Sequence, residues 1–588
     1  MGENFHNPVA EWVWQTRYRR SPGGTPEAGP VQTMARVARA VAAQERDPAL
    51  WTTRFVALLA GFRFLPGGRI LAAAGTPADA TLLNCFVMGR LDDAPLRLFR
   101  ALGEGAHTLR LGGGVGWDFS TLAPQGTPLG RGLVAPGPVA CLDLWNVACG
   151  AVTAGSSRGG AMMASLSVAH PDVAAFVEAK AQPGVLERFN LSVQVTDAFM
   201  AAVASDAAWP WLGPERGRRA NTPARSIPAR ALWTRMLRAM LGGSEPGLLF
   251  IDTINRENAL WWRESLATTN PCGETPLPPY GACCLGSINL ATLVLDPFTR
   301  TASLDEAALG SATATAVRLL DNVLDATRYP LARQRREALA TRRIGLGITG
   351  LGDALAMLGL RYDSEAARAM AGRIVESIKL AAYVASADLA REKGAFPAWE
   401  RDRYLAGRFA SRLPADLRDR IARDGLRNSH LLAIAPTGSV SLLAGNVSPG
   451  IEPIPALAQR RRVVVDGRER EVLVEDRAWA AFRAARRGTG TGAFVQAGDV
   501  APGAQVAMQA ALQRHVDGAI SKTVLLPPRT GIKALGSLLE MAHREGVKGI
   551  AVHRPVPGRG SAVPAGRAAG PAGRSACEPA CALRTGRT

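Results

Sequence analysis

Between Asn270 and Leu290 the chain reads NPCGETPLPPYGACCLGSINL, and this segment constrains the fold more than any other. Asn270, Cys272 and Glu274 alternate, so an extended backbone sends an amide, a thiol and a carboxylate to one side, with Pro271 and Gly273 shaping the backbone between them. Eleven residues after Cys272 comes Cys283, followed at once by Cys284. Pro276, Pro278, Pro279 and Gly281 predict an intervening loop that folds back and gathers several sulfurs at one site.

A lone cysteine is most often a small buried hydrophobe, and a cysteine pair is often half of a metal site. Zinc is disfavoured here, because the chain has only seven His and none lies within ten residues of the loop. No metal site is expected. A neighbouring carboxylate raises a thiol pKa, and no His or Lys adjoins Cys272 to lower it. The thiol is thus a poor ordinary nucleophile, better suited to one-electron chemistry.

Strand and helix patterns alternate through the middle of the 588 residues, which predicts an α/β architecture. A helical N-terminal region is expected over 1–62, a catalytic α/β unit over 63–554, and a disordered tail rich in Pro, Gly, Ala and Arg over 555–588. There is no run of about eighteen apolar residues and no signal-peptide pattern at the N-terminus, so a cytoplasmic enzyme is expected, without membrane association. Eight Cys are too few for a disulfide framework. The net charge of +19 suits phosphate-bearing ligands, but the Arg residues are dispersed rather than striped, and no nucleic-acid partner is expected.

Elsewhere, Cys85 in TLLNCFVMG reads by itself as a buried strand residue, and Cys141 and Cys149 as helical core. The Gly112–Gly116 run fits close backbone packing at least as well as phosphate binding. RFNLSVQV alternates as a strand, with Asn190 and Ser192 on one face. GLGITGLG, from Gly345, has the wrong spacing for a dinucleotide fingerprint. In LLAIAPTGSVSLLAGN, an apolar strand runs into Pro436, Thr437, Gly438, Ser439, Val440 and Ser441 and then a helix start. Such a junction is either a helix cap or a phosphate site. Cys577 and Cys581 close the chain as a CEPAC pair.

These blocks together resemble the catalytic chain of ribonucleotide reductases, most closely the adenosylcobalamin-dependent (class II) group, over about residues 7–554. The resemblance implies a ten-stranded α/β barrel of two antiparallel five-strand halves with the Cys272 loop as a central finger. It implies that Cys272 becomes the thiyl radical that abstracts the ribose 3′ hydrogen, that Glu274 takes the 3′-hydroxyl proton, and that Asn270 holds the sugar hydroxyl. Cys85 and Cys283 would be the thiol pair that reduces the 2′ carbon and ends as a disulfide, with Asn84 and residues 436–441 binding substrate. Asp93 falls near the effector-nucleotide contact, although Ala94 stands where the family has Ser. Cys577 and Cys581 match a tail pair that reduces the disulfide and is recharged by thioredoxin or glutaredoxin.

Adenosylcobalamin is the expected cofactor, because the late adjacent Tyr pair of the two-subunit reductases is missing from the six Tyr of this chain. A homodimer reducing ribonucleoside diphosphates, with deoxynucleotide or ATP effectors, is implied. The family's N-terminal ATP cone has no room before the core, so overall on/off control by ATP and dATP is not expected. Gly159, Cys284, Leu525 and His553 depart from the family pattern. Alternatives are a catalytic subunit that needs a separate radical subunit, or a non-catalytic paralogue that binds nucleotides or nucleic acid.

Overall fold

The computed structural model describes residues 5–21, 24–130, 132–153, 160–212, 226–465, 468–485 and 491–555. The tail pair Cys577 and Cys581, and Gly159, lie outside the described residues.

The N-terminal region is helical where prolines open helices. Pro8, Pro30 and Pro48 each stand in the first turn of a helix (Pro8–Val13, Pro30–Ala42, Pro48–Leu59), where the missing N–H costs nothing. Asn7 and Asp47 cap two of them through their side chains. The first continues as a π-helical turn, Trp14–Tyr18.

Ten strands form the main sheet: β1 (Phe64–Pro66), β2 (Cys85–Val87), β3 (Gly114–Asp118), β4 (Met162–Ser167), β5 (Phe189–Val195), β6 (Gly247–Phe250), β7 (Ala282–Asn289), β8 (Ile344–Thr349), β9 (Thr523–Leu525) and β10 (Gly549–His553). β2 to β6 are parallel neighbours in chain order. β7 pairs parallel with β8, and β9 with β10. The two groups meet through antiparallel pairings, β7 on β2 and β10 on β6. Residues 431–434 span the gap between β8 and β9 by two parallel bridges, Leu346 to Leu432 and Ile434 to Ile520.

The pairings therefore run round a circuit of two antiparallel halves. In the second half the position between β8 and β9 is a bridged segment rather than a laddered strand. The reason is local: the buried Asp517 carboxylate accepts the N–H groups of Leu431 (2.9 Å) and Leu432 (2.8 Å), donors that a ladder would otherwise use. β1 lies outside the circuit, antiparallel to β7.

Strand alternation sorts side chains between an inner cluster and the main core. Cys85, Val87, Cys283, Leu285 and Ala433 pack together inside, whereas Phe86, Cys284 and Ile288 join the large core shared with the helices. One buried ion cluster ties a helix to this outer face: Arg342, just before β8, donates to Asp321 at 2.8 Å on the helix Glu306–Ala326. Burial pushes the Asp321 carboxyl up, but Arg342 and Arg427 more than offset it, and it stays ionised.

Through the centre runs a small hairpin in which Thr268–Thr269 pairs with Pro276–Leu277, carrying Asn270–Thr275 at its tip. The Gly-rich run that enters β3 serves this approach. A Cβ on Gly116 would stand 1.9 Å from the Thr269 carbonyl oxygen, so only glycine lets the hairpin pass. The close-packing reading of that run holds.

Replacing Gly116 with Ala is expected to destabilise the fold by about 1–3 kcal/mol or more, because the contact is with backbone and cannot rotate away. Urea unfolding followed by circular dichroism measures it; a midpoint equal to that of the wild type would show that the hairpin is not confined there.

Candidate active site

The hairpin tip is a turn, not an extended strand. Gly273 N–H donates to the Asn270 carbonyl at 3.1 Å, with Pro271 at the second turn position, where its fixed φ is suited. This corrects the expectation that Asn270, Cys272 and Glu274 share one side. The turn rotates Cys272 away from the other two: Asn270 and Glu274 are fully buried, whereas Cys272 is half-buried.

Both flanks of the tip are clamped. Asn190 on β5 donates to the Pro271 carbonyl at 2.7 Å, and the Ala519 N–H donates to the Glu274 carbonyl at 2.9 Å. The Asn270 amide is held too, its Oδ1 accepting the Thr275 N–H at 3.0 Å and its Nδ2 donating to Cys85 Sγ at 3.1 Å. Cys85 Sγ lies 4.0 Å from Glu274 Oε1. An amide, a carboxylate and a thiol from segments 185 residues apart thus converge in the barrel interior.

The second interior thiol arrives through strand register. Cys85 on β2 and Cys283 on β7 are direct partners in the antiparallel junction between the halves. Direct partners have Cα atoms about 4.5–5.5 Å apart, within the span that a disulfide requires. Cys283, not Cys284, faces Cys85, because successive strand residues point to opposite faces. The two are not joined in a disulfide in this structure. Burial pushes the Cys283 thiol well up, and Cys284 and Glu274 push it further, while Arg343 opposes. Burial also lifts Cys284. The interior therefore keeps its thiol neutral.

At the other end of β7 and β8 lies the 436–441 loop. The hydroxyls of Thr437, Ser441 and Thr349 form a buried triangle with 2.9–3.0 Å sides. The Gly450 N–H also donates to Thr437 Oγ1, at 2.8 Å. Two of the hydroxyls read as phosphate ligands are thus engaged in building the loop, and Thr437 is held at φ +48°. Gly438 is exposed and Ser439 half-buried, so these two face outward. Asn84 Oδ1 accepts the Arg69 N–H at 3.3 Å, next to the Gly67–Gly68 turn.

No sequence signal pointed to Thr349 or to Tyr18, whose hydroxyl reaches Ser439 Oγ at 3.0 Å across 421 residues. Asp93 has a structural partner, both its oxygens accepting the Ala123 N–H at 3.0–3.1 Å. Cys141 and Cys149 are buried helical core, and burial pushes their thiols to about 11 and about 12. Among the described residues no group of His, Cys, Asp or Glu is arranged to hold a metal, and no helix is long and apolar enough to cross a membrane.

On the open side of the tip, Cys272 borders a cleft lined by Asn190, Ser192, Ser244, Glu245 and Lys522. Amide and hydroxyl groups of this kind suit a polar, sugar-bearing ligand, and Cys272 is the half-exposed thiol among the six described. The donor set fits a nucleoside-bearing cofactor beside that sulfur.

Comparison with known proteins places this geometry. The description "Ribonucleotide reductase, barrel domain" matches residues 83–553, and "Ribonucleotide reductase, all-alpha domain" matches residues 4–79. The chain belongs to the ribonucleotide reductase family. It is 40% identical over 560 residues to the vitamin B12-dependent ribonucleoside-diphosphate reductase of Mycobacterium tuberculosis H37Rv, covering 90% of this chain and 75% of that one. It is 33% identical over 528 residues to the protein of the same description in Thermoplasma acidophilum, covering 86% and 65%. To the ribonucleoside-diphosphate reductase subunit alpha of Chlamydia muridarum it is 28% identical over 472 residues, covering 71% and 44%. Within this ribonucleotide reductase chain, the residues that surround Cys85 come from both halves of the barrel and from the hairpin.

Iodoacetamide applied to the native protein at pH 8 is expected to modify Cys272 and to spare Cys85, Cys141, Cys149, Cys283 and Cys284. Cys141, Cys149, Cys283 and Cys284 have raised pKa values and stay protonated at pH 8, and Cys85 is buried. Peptide mapping by mass spectrometry reads the outcome, and modification of Cys283 as fast as Cys272 would contradict the closed interior.

Proposed function

We propose that this chain reduces ribonucleoside diphosphates to 2′-deoxyribonucleotides by thiyl-radical chemistry with adenosylcobalamin as cofactor. The observation that carries the reading is the convergence of Asn270, Glu274, Cys85 and Cys283 inside the barrel, with Cys272 on the same hairpin turned toward an open cleft.

In this reading Asn190, Ser192 and Ser244 hold the sugar-bearing part of the cofactor beside Cys272. Adenosylcobalamin, when bound, supplies the one-electron oxidising equivalent for that thiol. The Cys272 sulfur takes the 3′ hydrogen atom of the substrate ribose, and Glu274 accepts the 3′-hydroxyl proton as general base. Asn270 exchanges its present partners for the sugar hydroxyl. The 2′-hydroxyl leaves as water, and Cys85 and Cys283 together give two electrons and two protons and end as a disulfide. Cys272 then returns its hydrogen to the 3′ carbon. The sum is ribonucleotide plus dithiol giving deoxyribonucleotide, disulfide and water. A closed interior suits this, since water and oxidants would quench a carbon radical.

Gly438 and Ser439 meet the substrate phosphates, and Asn84 adjoins the same site. Cys577 and Cys581 reduce the spent disulfide by exchange and are recharged by thioredoxin or glutaredoxin. A homodimer forms through the paired helices Pro95–Arg110 and Gly137–Thr153, which carry the exposed Leu96, Phe99, Leu144 and Val147. Asp93, at the start of the first of these, contributes to an effector-nucleotide site. The enzyme works in the cytoplasm, supplying DNA precursors.

Purified protein given CDP and a dithiol is expected to form dCDP only when adenosylcobalamin is added, and a Cys272→Ala variant is expected to fall to background. Undiminished product from the variant would remove Cys272 from the chemistry. No product from the wild type, with dithiol, effector nucleotide and phosphate level all varied, would defeat the reading as a whole. For the dimer, Phe99→Glu is expected to halve the mass seen by sedimentation; an unchanged mass would place the interface elsewhere.

A further inference from the structure

Tyr18 sits in the N-terminal region, at the end of the π-helical turn Trp14–Tyr18, and is buried. Its hydroxyl donates to Ser439 Oγ at 3.0 Å. The helix Pro8–Val13 packs on the short helix Gly438–Leu443 that follows the loop, so the contact belongs to a built interface. A Cβ on Gly68 would lie 3.3 Å from the Tyr18 hydroxyl oxygen, so that turn walls in the hydroxyl on a second side. π-helical turns are frequent at functional sites, because the extra residue re-aims the side chains that follow.

A serine hydroxyl has one hydrogen to donate and two lone pairs to accept with. Ser441 and Thr437 donate and accept within their own triangle with Thr349. Ser439 differs from them: it accepts from Tyr18 and is half-open to the outside. With one lone pair occupied by the Tyr18 hydrogen, the Ser439 hydrogen is turned away from Tyr18. A chain of two hydroxyls also polarises the terminal donor.

We propose that Tyr18 is a positioning residue for the substrate's phosphate: it fixes Ser439 so that the Ser439 hydroxyl donates outward to a phosphate oxygen of a nucleoside diphosphate. This rests on the phosphate-loop reading above and extends it, because it makes the helical N-terminal region part of the substrate site and ties affinity to the phosphate rather than to the nucleoside.

The test is equilibrium dialysis of CDP and of cytidine with the full chain, its Tyr18→Phe and Ser439→Ala variants and the double variant, together with steady-state kinetics on CDP. Tyr18→Phe keeps the buried ring and removes only the hydroxyl. It is expected to weaken CDP binding about three- to tenfold, the loss of one hydrogen bond. KM should rise accordingly, with kcat and cytidine binding unchanged. Ser439→Ala should weaken CDP at least as much, and the double variant should be no weaker than Ser439→Ala alone. Pyrophosphate should compete with CDP less well in Tyr18→Phe than in the wild type.

If Ser439→Ala leaves CDP binding unchanged, the phosphate-loop reading fails and the inference with it. If Ser439→Ala weakens CDP and Tyr18→Phe does not, the inference alone is overturned. Equal loss for CDP and cytidine in Tyr18→Phe would overturn it too, since that marks general loosening of the site. Should Tyr18→Phe not fold, Gly68→Ala crowds the hydroxyl without removing it. It is expected to weaken CDP but not cytidine, and CDP binding equal to the wild type would count against the proposal.

Discussion

A backbone hairpin can cross the middle of a barrel only if its polar groups are satisfied there, since an unpaired buried N–H or C=O costs about 1–3 kcal/mol. The Asn270–Thr275 turn meets that condition from several sides. Its carbonyls accept from Asn190 on one flank and from Ala519 on the other, and the Asn270 side chain closes the turn onto the Thr275 N–H. Gly116 supplies the clearance. The site depends on this clamp, because it sets the course of the backbone that carries Asn270, Cys272 and Glu274.

The antiparallel junction between the two halves is the second constraint. The direction reverses where β2, the first strand of one half, meets β7, the first strand of the other. Cys85 and Cys283 stand at such a reversal, in direct register. Burial then decides their chemistry. The Cys283 thiol is held neutral by desolvation and by the nearby Glu274, which suits a hydrogen donor better than a thiolate. Cys272, on the same hairpin but across the turn, opens on a cleft of mixed polar and apolar lining. One backbone turn thus separates a dry side from an accessible side.

The N-terminal region is not merely a lead-in to the barrel. Its first helix packs on the loop helix after Thr437, and Tyr18 reaches into the loop itself. Large apolar side chains from this region, among them Val9, Trp14 and Val37, also belong to the same continuous core as the barrel strands. The two parts therefore share one core.

Much of this was legible in the sequence, for identifiable reasons. Prolines and glycines mark the loops, because their backbone preferences are local, and the period-two pattern marks β5. The residue types at 270, 272, 274, 85 and 283, and the Pro-Thr-Gly-Ser junction, gave the chemistry through their resemblance to a known family. Facing and contact were beyond it. An extended reading of Asn270–Glu274 put three groups on one side, whereas the turn divides them, because Gly273 closes back on Asn270 and both flanks are tied to distant strands. Nothing local tells Cys283 from Cys284; register against β2 does. Nothing local shows that Thr437 and Ser441 spend their hydroxyls on Thr349, or that Tyr18 touches Ser439, since those bonds join segments 88 to 421 residues apart. The sequence by itself determined which groups are available and where the chain turns, because those properties are carried by single residues and their neighbours. Only the tertiary structure decided which groups face each other, which thiols are dry and which hydroxyls remain free, because partners brought together by strand register and helix packing set each of these.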